Sequence, residues 1–161
     1  YPMGNSLVDQ ESIQTARELL DVGGSKLRLP VDVVISQKIE PDAETRTIDM
    51  GPIPEGWSIL DIGPKTVEGY AKAIATAGTV VWNGPMGVFE VPEFANGTLG
   101  IARAVAGSSA ISVIGGGESV AAIQQSGLAD RITHISTGGG ASLEMLEGLE
   151  LPGVAALQDR T

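Results

Sequence analysis

Two glycine triplets, Gly115-Gly116-Gly117 and Gly138-Gly139-Gly140, each follow a short apolar run and each lead into a stretch with helical spacing. Ile111-Ser112-Val113-Ile114 precedes the first and Ser119-Val120-Ala121-Ala122-Ile123 follows it. Ile132-Thr133-His134-Ile135 precedes the second and Leu143-Glu144-Met145-Leu146 follows. A strand that ends in glycine can turn tightly without side-chain bulk. A helix that begins at once leaves its first amide N–H groups unpaired and pointing out of the turn. Such a helix start carries partial positive charge and favours an anion without help from lysine or arginine. One triplet alone is read equally well as a device for close strand-to-helix packing. Two in successive units point to phosphate.

The rest of the chain alternates in the same way. Residues 9–21 have helical spacing through Ile13, Ala16, Leu19 and Leu20, residues 31–35 read as a strand, and Arg46-Thr47-Ile48 reads as a weak edge strand. Ser58-Ile59-Leu60-Asp61 is a stronger strand, and Thr66 is placed to cap a helix carrying Val67, Tyr70, Ala71 and Ile74. Thr79-Val80-Val81-Trp82 is the next strand, ending in the breaker run Asn83-Gly84-Pro85-Met86-Gly87, with a helix over 99–105 beyond it. Alternating strands and helices with short connections predict an α/β fold, three-layered, doubly wound and Rossmann-like around a mainly parallel sheet. No linker or low-complexity segment divides residues 1–161, so one domain is expected.

Composition removes several function classes. With 10 Lys+Arg against 20 Asp+Glu, the net charge of -10 argues against sequence-independent binding to nucleic acid or to anionic membranes. The absence of cysteine excludes disulfides and thiolate zinc sites. The single histidine, His134, excludes multi-histidine metal sites, and its place in an apolar alternation suggests a core role rather than a catalytic one. No apolar run is long enough for a bilayer span, and a soluble, cytoplasmic protein is expected. The chain opens on Tyr1 and enters helical sequence almost at once, as a fragment would.

In open α/β sheets ligands bind outside the carboxyl ends of the strands, so each strand end is a candidate site. Asp61, in Asp61-Ile62-Gly63-Pro64-Lys65-Thr66, has the chemistry to orient a cation or a catalytic group, although the turn and cap explain most of that segment structurally. Glu90 can accept both hydroxyls of a ribose, with Val88 and Phe89 as an apolar wall, while its default reading is a solvated loop carboxylate. Glu118 stabilises a helix start in any event and becomes a magnesium ligand beside phosphate oxygens. Neither a P-loop nor a G-x-G-x-x-G fingerprint occurs, so nucleotide chemistry here needs another design.

Three segments, taken in order and spacing, resemble the nucleotide-binding, C-terminal half of phosphoglycerate kinase. They are Trp82-Asn83-Gly84-Pro85-Met86-Gly87-Val88-Phe89-Glu90, Gly115-Gly116-Gly117-Glu118-Ser119 and Ser136-Thr137-Gly138-Gly139-Gly140-Ala141-Ser142-Leu143-Glu144. Leu29-Pro30-Val31-Asp32, the segment from Asp61 to Thr66, and Leu151-Pro152-Gly153-Val154 extend the likeness along essentially the whole chain. The resemblance implies phosphoryl transfer between 1,3-bisphosphoglycerate and MgADP, giving 3-phosphoglycerate and MgATP. It implies that Asn83, Pro85, Val88 and Glu90 shape the nucleotide site, with Glu90 on the ribose and Leu7 and Leu60 lining the adenine pocket. It places Gly115, Gly116, Gly117 and Ser119 at the transferring phosphates, Glu118 on magnesium, and Gly138, Gly139 and Gly140, with Gly116, at the reacting centre.

Two departures accompany the likeness. The family usually has aspartate where this chain has Glu118, and the acceptor-binding domain and the lysine-bearing start of the nucleotide domain have no counterpart here. Lys26, Lys38, Lys65 and Lys72 do not occupy that lysine motif. The chain is therefore expected to be a partial nucleotide-binding domain, inactive alone and belonging to an enzyme that is a monomer when complete. A non-catalytic nucleotide-binding module, or half of a split enzyme, is the alternative. An interaction domain that has lost the ligand is a third reading, opposed by Glu90 and residues 115–119.

Overall fold

The computed structural model describes residues 1–136 and 138–157. The chain divides into two compact units, Tyr1–Tyr70 with Met86–Thr98, and Ala71–Pro85 with Leu99–Thr161.

In the first unit a three-stranded sheet has the order β2-β1-β3, formed by β1 (Asp32–Ser36), β2 (Thr45–Asp49) and β3 (Ser58–Ile62). Both neighbours run antiparallel to β1, with Val33 opposite Ile48 on one side and Ile62 on the other. This departs from the mainly parallel sheet expected from sequence. For β1 and β2 the cause lies in their connection: residues 37–44 contain no helix, and a parallel crossover needs about a dozen residues or more, usually helical, so β2 returns antiparallel beside β1. Residues 50–57 then carry the chain past β1 to β3 on its other side, in the same direction as β2. Val33, Ile35, Ile53 and Trp57 form one buried cluster of this unit, with Met3, Ile48 and Ile59 packed against it, and Leu60, Ile62 and Phe94 are buried in the unit as well. Arg46 lies over the Trp57 ring, 4.2 Å from its centroid.

Helix α1 (Ile13–Gly23) starts later than residue 9, because Asp9 accepts hydrogen bonds from the Glu11 amide and the Ser12 hydroxyl and holds a turn there. None of its residues is buried. Helix α2 (Pro64–Ala75) begins immediately after β3, with proline as its first residue, a position that suits its fixed φ and missing N–H. Thr66 therefore lies inside the first turn and is not the cap. The cap is a carboxylate from β1: Asp32 Oδ2 accepts the Lys65 N–H at 3.0 Å and Asp32 Oδ1 accepts the Thr66 N–H at 2.8 Å. The Thr66 hydroxyl lies 2.6 Å from Asp32 Oδ1 and accepts the Val31 and Asp32 amides.

The second unit has the expected parallel sheet, in the order β4-β5-β6, from β4 (Thr79–Asn83), β5 (Ile111–Gly115) and β6 (His134–Ile135). Asn83 lies opposite Gly115 and Ile114 opposite Ile135, so the strands reach their carboxyl ends together. Helix α3 (Asn96–Gly107) runs into this unit, α4 (Gly117–Gln125) follows β5, α5 (Gly139–Leu146) follows β6, and α6 (Pro152–Ala155) comes last. Trp82, Ile101, Val105, Ile114 and Ile123 are buried here.

β6 is shorter than the predicted run from Ile132. The Thr133 N–H is taken by Ser112 Oγ and Thr133 Oγ1 accepts the Ser112 N–H, so side chains replace the ladder at that end. On this two-residue edge strand His134 is exposed, not in the core as its alternation suggested. Among the described residues no helix is long and apolar enough to cross a membrane.

Candidate functional site

In the second unit the parallel register brings both glycine turns to one edge. β5 ends at Gly115, Gly116 turns with φ +85°, and α4 starts at Gly117. Gly138 precedes α5, which starts at Gly139, and Thr137 lies outside the described residues. The two turns touch. A Cβ on Gly139 would stand 2.4 Å from the Gly116 nitrogen, and a Cβ on Gly116 would stand 2.7 Å from Asn83 Oδ1. Glycine at 116 is thus required both by the left-handed backbone and by the close approach of Asn83. Gly117 and Gly140 face open space.

The consequence is electrostatic. The first amides of α4 and α5 have no partner within their helices, and both helix starts carry partial positive charge at the ends of adjacent strands. Ser136 and Ser142 hydroxyls meet at 2.9 Å beside Gly138, adding polar groups to the α5 turn. Ser119, expected at the phosphates, is 1% exposed, and its Oγ accepts the Gly84 N–H at 2.6 Å. Gly84 is also held through its carbonyl, which accepts the Trp82 indole N–H at 2.7 Å. Ser119 therefore fixes the segment of Asn83 and Pro85 against the base of α4.

Glu118 sits exposed in the first turn of α4. Among the described residues no group of three or more His, Asp or Glu side chains is placed to hold a metal. A lone carboxylate at a helix start can still suit magnesium where phosphate oxygens complete the shell. That ion demands octahedral geometry, retains water, and is commonly held by one or two carboxylates together with substrate phosphates.

The first unit holds the remaining candidates. Leu60 and Val88 line a cavity of about 640 Å³ whose wall is mainly apolar and includes Met50, Ile59 and Met86. They are joined by a hydrogen bond from the Val88 N–H to the Leu60 carbonyl, 2.9 Å. Leu7 and Glu90 do not line this cavity, and both are exposed. The structure thus gathers Leu60 with Val88 in one unit, and Asn83, Gly116, Ser119 and Gly139 in the other.

Two buried carboxylates define this unit. Asp32, not singled out from sequence, is 1% exposed. Burial pushes its carboxyl up, but hydrogen bonds from Thr66 and from the Lys65 and Thr66 amides, with the Lys65 charge, outweigh burial and leave it below the ordinary 3.8. Its signal in the sequence is an aspartate inside an apolar strand. Asp61, 1% exposed on β3, accepts the Ile62 and Gly97 amides. Burial dominates there and raises it to about 6, against those two hydrogen bonds. Its carboxylate is engaged by backbone amides, in the wall of the same cavity that Leu60 and Val88 line.

Comparison with known proteins agrees with this geometry. The phosphoglycerate kinase family profile matches residues 1–149. The phosphoglycerate kinase of Roseiflexus sp. (strain RS-1) is 56% identical over 162 residues, covering 99% of this chain and 41% of that protein. That of Rubrobacter xylanophilus is 57% identical over 158 residues, covering 98% and 40%. The solved phosphoglycerate kinase from Coxiella burnetii matches with a TM-score of 0.88 and 43% identity, over 92% of this chain and 39% of that one. The chain spans about two-fifths of the length of the curated relatives it matches.

Proposed function

The chain belongs to the phosphoglycerate kinase family, and we propose that it supplies the magnesium-nucleotide-binding part of that phosphotransferase. The whole enzyme moves a phosphoryl group from the acyl phosphate of 1,3-bisphosphoglycerate to ADP, giving 3-phosphoglycerate and ATP, in the cytoplasm. In the complete domain the sheet is three-layered and doubly wound.

The observation that carries this reading is the contact of two glycine turns at the ends of β5 and β6, each opening a helix. Phosphoryl transfer asks mainly for positioning and for dipoles aimed at developing charge. The amides of α4 and α5 hold the phosphate oxygens, and Gly116, Gly138, Gly139 and Gly140 let the backbone approach without side chains. Magnesium, when bound, neutralises charge on the phosphates, and Glu118 is the residue that holds it. In the first unit Leu60 and Val88 supply an apolar surface for the base, and Glu90 accepts the ribose hydroxyls.

A second reading, nucleotide binding without turnover, is favoured by one fact: the chain covers about two-fifths of its relatives' length. Both readings predict that MgADP stabilises the chain, and they separate on turnover once the remainder of a relative is added. Thermal unfolding with and without millimolar MgADP decides the shared part. At about 100 times the dissociation constant, stabilisation is about 2.7 kcal/mol. A midpoint that ignores MgADP in the wild type would remove nucleotide binding by this chain.

A further inference from the structure

The Asp61 carboxylate is clasped between two glycines. A Cβ on Gly87 would stand 2.5 Å from Asp61 Oδ1, and a Cβ on Gly97 would lie closer still to the same oxygen. Asp61 Oδ2 accepts the Gly97 N–H at 2.7 Å, at the start of α3. On the neighbouring residue, the Leu60 carbonyl accepts the Val88 N–H. Thr98, the residue after Gly97, takes the Met86 N–H on its hydroxyl at 3.0 Å. The 86–88 segment is therefore held at Met86 by the first turn of α3 and at Val88 by β3, with Asp61 filling the space between them.

A buried carboxylate with two backbone amides is an expensive way to close a gap that an apolar side chain would also fill. Asp61 is not consumed by the phosphate turns, and at 1% exposed it stands behind Leu60 and Val88 in the wall of the cavity they line, with its carboxylate turned to the Ile62 and Gly97 amides. We propose that Asp61 is a positioning residue for the nucleotide site: by fixing the start of α3 against β3, it sets the path of residues 86–90 and with it Val88 and Glu90. This rests on the nucleotide reading above. The arrangement explains why the loop carries glycine at 87 and the helix carries glycine at 97, since a methyl group at either would strike the carboxylate.

The internal control is Asp32, an equally buried carboxylate on the adjacent strand whose bonds go to α2 and not to the loop. MgADP affinity, by calorimetry well below the unfolding midpoint, and hydrogen exchange at the Val88 amide are to be measured for wild type, Asp61→Asn and Asp32→Asn. Asp61→Asn is expected to weaken MgADP binding about tenfold, as loss of a charge-assisted bond would. It should also speed Val88 exchange beyond what its global stability predicts. Asp32→Asn should lower the midpoint while leaving the affinity within about twofold. Equal affinity in Asp61→Asn and wild type, or affinity losses that track midpoint losses in both variants, overturns the proposal.

If Asp61→Asn does not fold, Gly97→Ala presses the same carboxylate oxygen from the start of α3, away from the Leu60 carbonyl that accepts the Val88 N–H. Unchanged Val88 exchange and affinity in that variant overturns it equally. If the wild type itself does not bind MgADP, the nucleotide reading falls, and Val88 exchange still decides whether Asp61 places the loop.

Discussion

Gly139 abuts the backbone of Gly116, so closely that a Cβ on Gly139 would stand 2.4 Å from the Gly116 nitrogen. Two helix starts that are separate in sequence thereby share one patch of amides, which neither turn could form alone.

That contact predicts the effect of one methyl group. Gly139→Ala should cost about 1–3 kcal/mol by overpacking, read as a lowered urea midpoint, and it should abolish stabilisation by MgADP. Gly140→Ala, where a Cβ meets nothing within 4 Å, should leave the midpoint within about 0.5 kcal/mol.

Asp32 should be among the most sensitive polar positions. Its replacement by alanine leaves the Lys65 and Thr66 amides without their acceptor, while the Thr66 hydroxyl keeps only the residue 32 backbone carbonyl, 3.0 Å away. A loss of about 3 kcal/mol follows from stranded buried donors, checked by denaturant unfolding. A loss under about 1 kcal/mol would show that water replaces the carboxylate.

The two buried aspartates give opposite dependences on pH. Asp32 lies below 3.8 in the folded chain, so its contribution is present above 3.8 and is lost as pH falls through its folded value. Asp61 is raised to about 6, so the folded state holds its proton more tightly than the unfolded chain does. Its contribution is fully favourable below 3.8 and declines as pH rises toward 6. In Asp61→Asn the decline between those values should disappear from the stability profile, while the fall at lower pH persists.

Glu118→Gln tests the metal. The neutral amide should leave stabilisation by ADP in EDTA unchanged and remove the additional stabilisation that magnesium brings. Glu118→Asp should retain that increment. A full magnesium increment in Glu118→Gln would assign the ion to other groups.

The parallel half of the fold was legible because its signals are local: the runs before Gly115 and Gly138 are apolar and the residues after them have helical spacing. The antiparallel half was misjudged because strand direction depends on connections. Residues 37–44 are short and have no helical pattern, which speaks for β2 returning antiparallel beside β1, whereas the passage of residues 50–57 across β1 to β3 leaves no such local sign. Asp32 was missed for a related reason. A carboxylate from one strand that caps a helix beginning beyond another strand leaves no trace in spacing, and Thr66, a typical capping type near that helix start, drew the assignment instead. The glycine turns lie where the local pattern puts them, whereas the acceptance of the Gly84 amide by Ser119 joins residues 35 apart in sequence and leaves no local sign.

Each unit contains one of the chain's two tryptophans. Trp57 is buried in the first under the Arg46 guanidinium, and Trp82 in the second donates its indole N–H to Gly84. Because Gly84 is in turn anchored by Ser119, the surroundings of Trp82 are tied to the start of α4, whereas those of Trp57 are set by the Arg46 guanidinium 4.2 Å from its ring. Trp57→Phe and Trp82→Phe would therefore give two single-fluorophore chains, each reporting the melting of one unit with no label added.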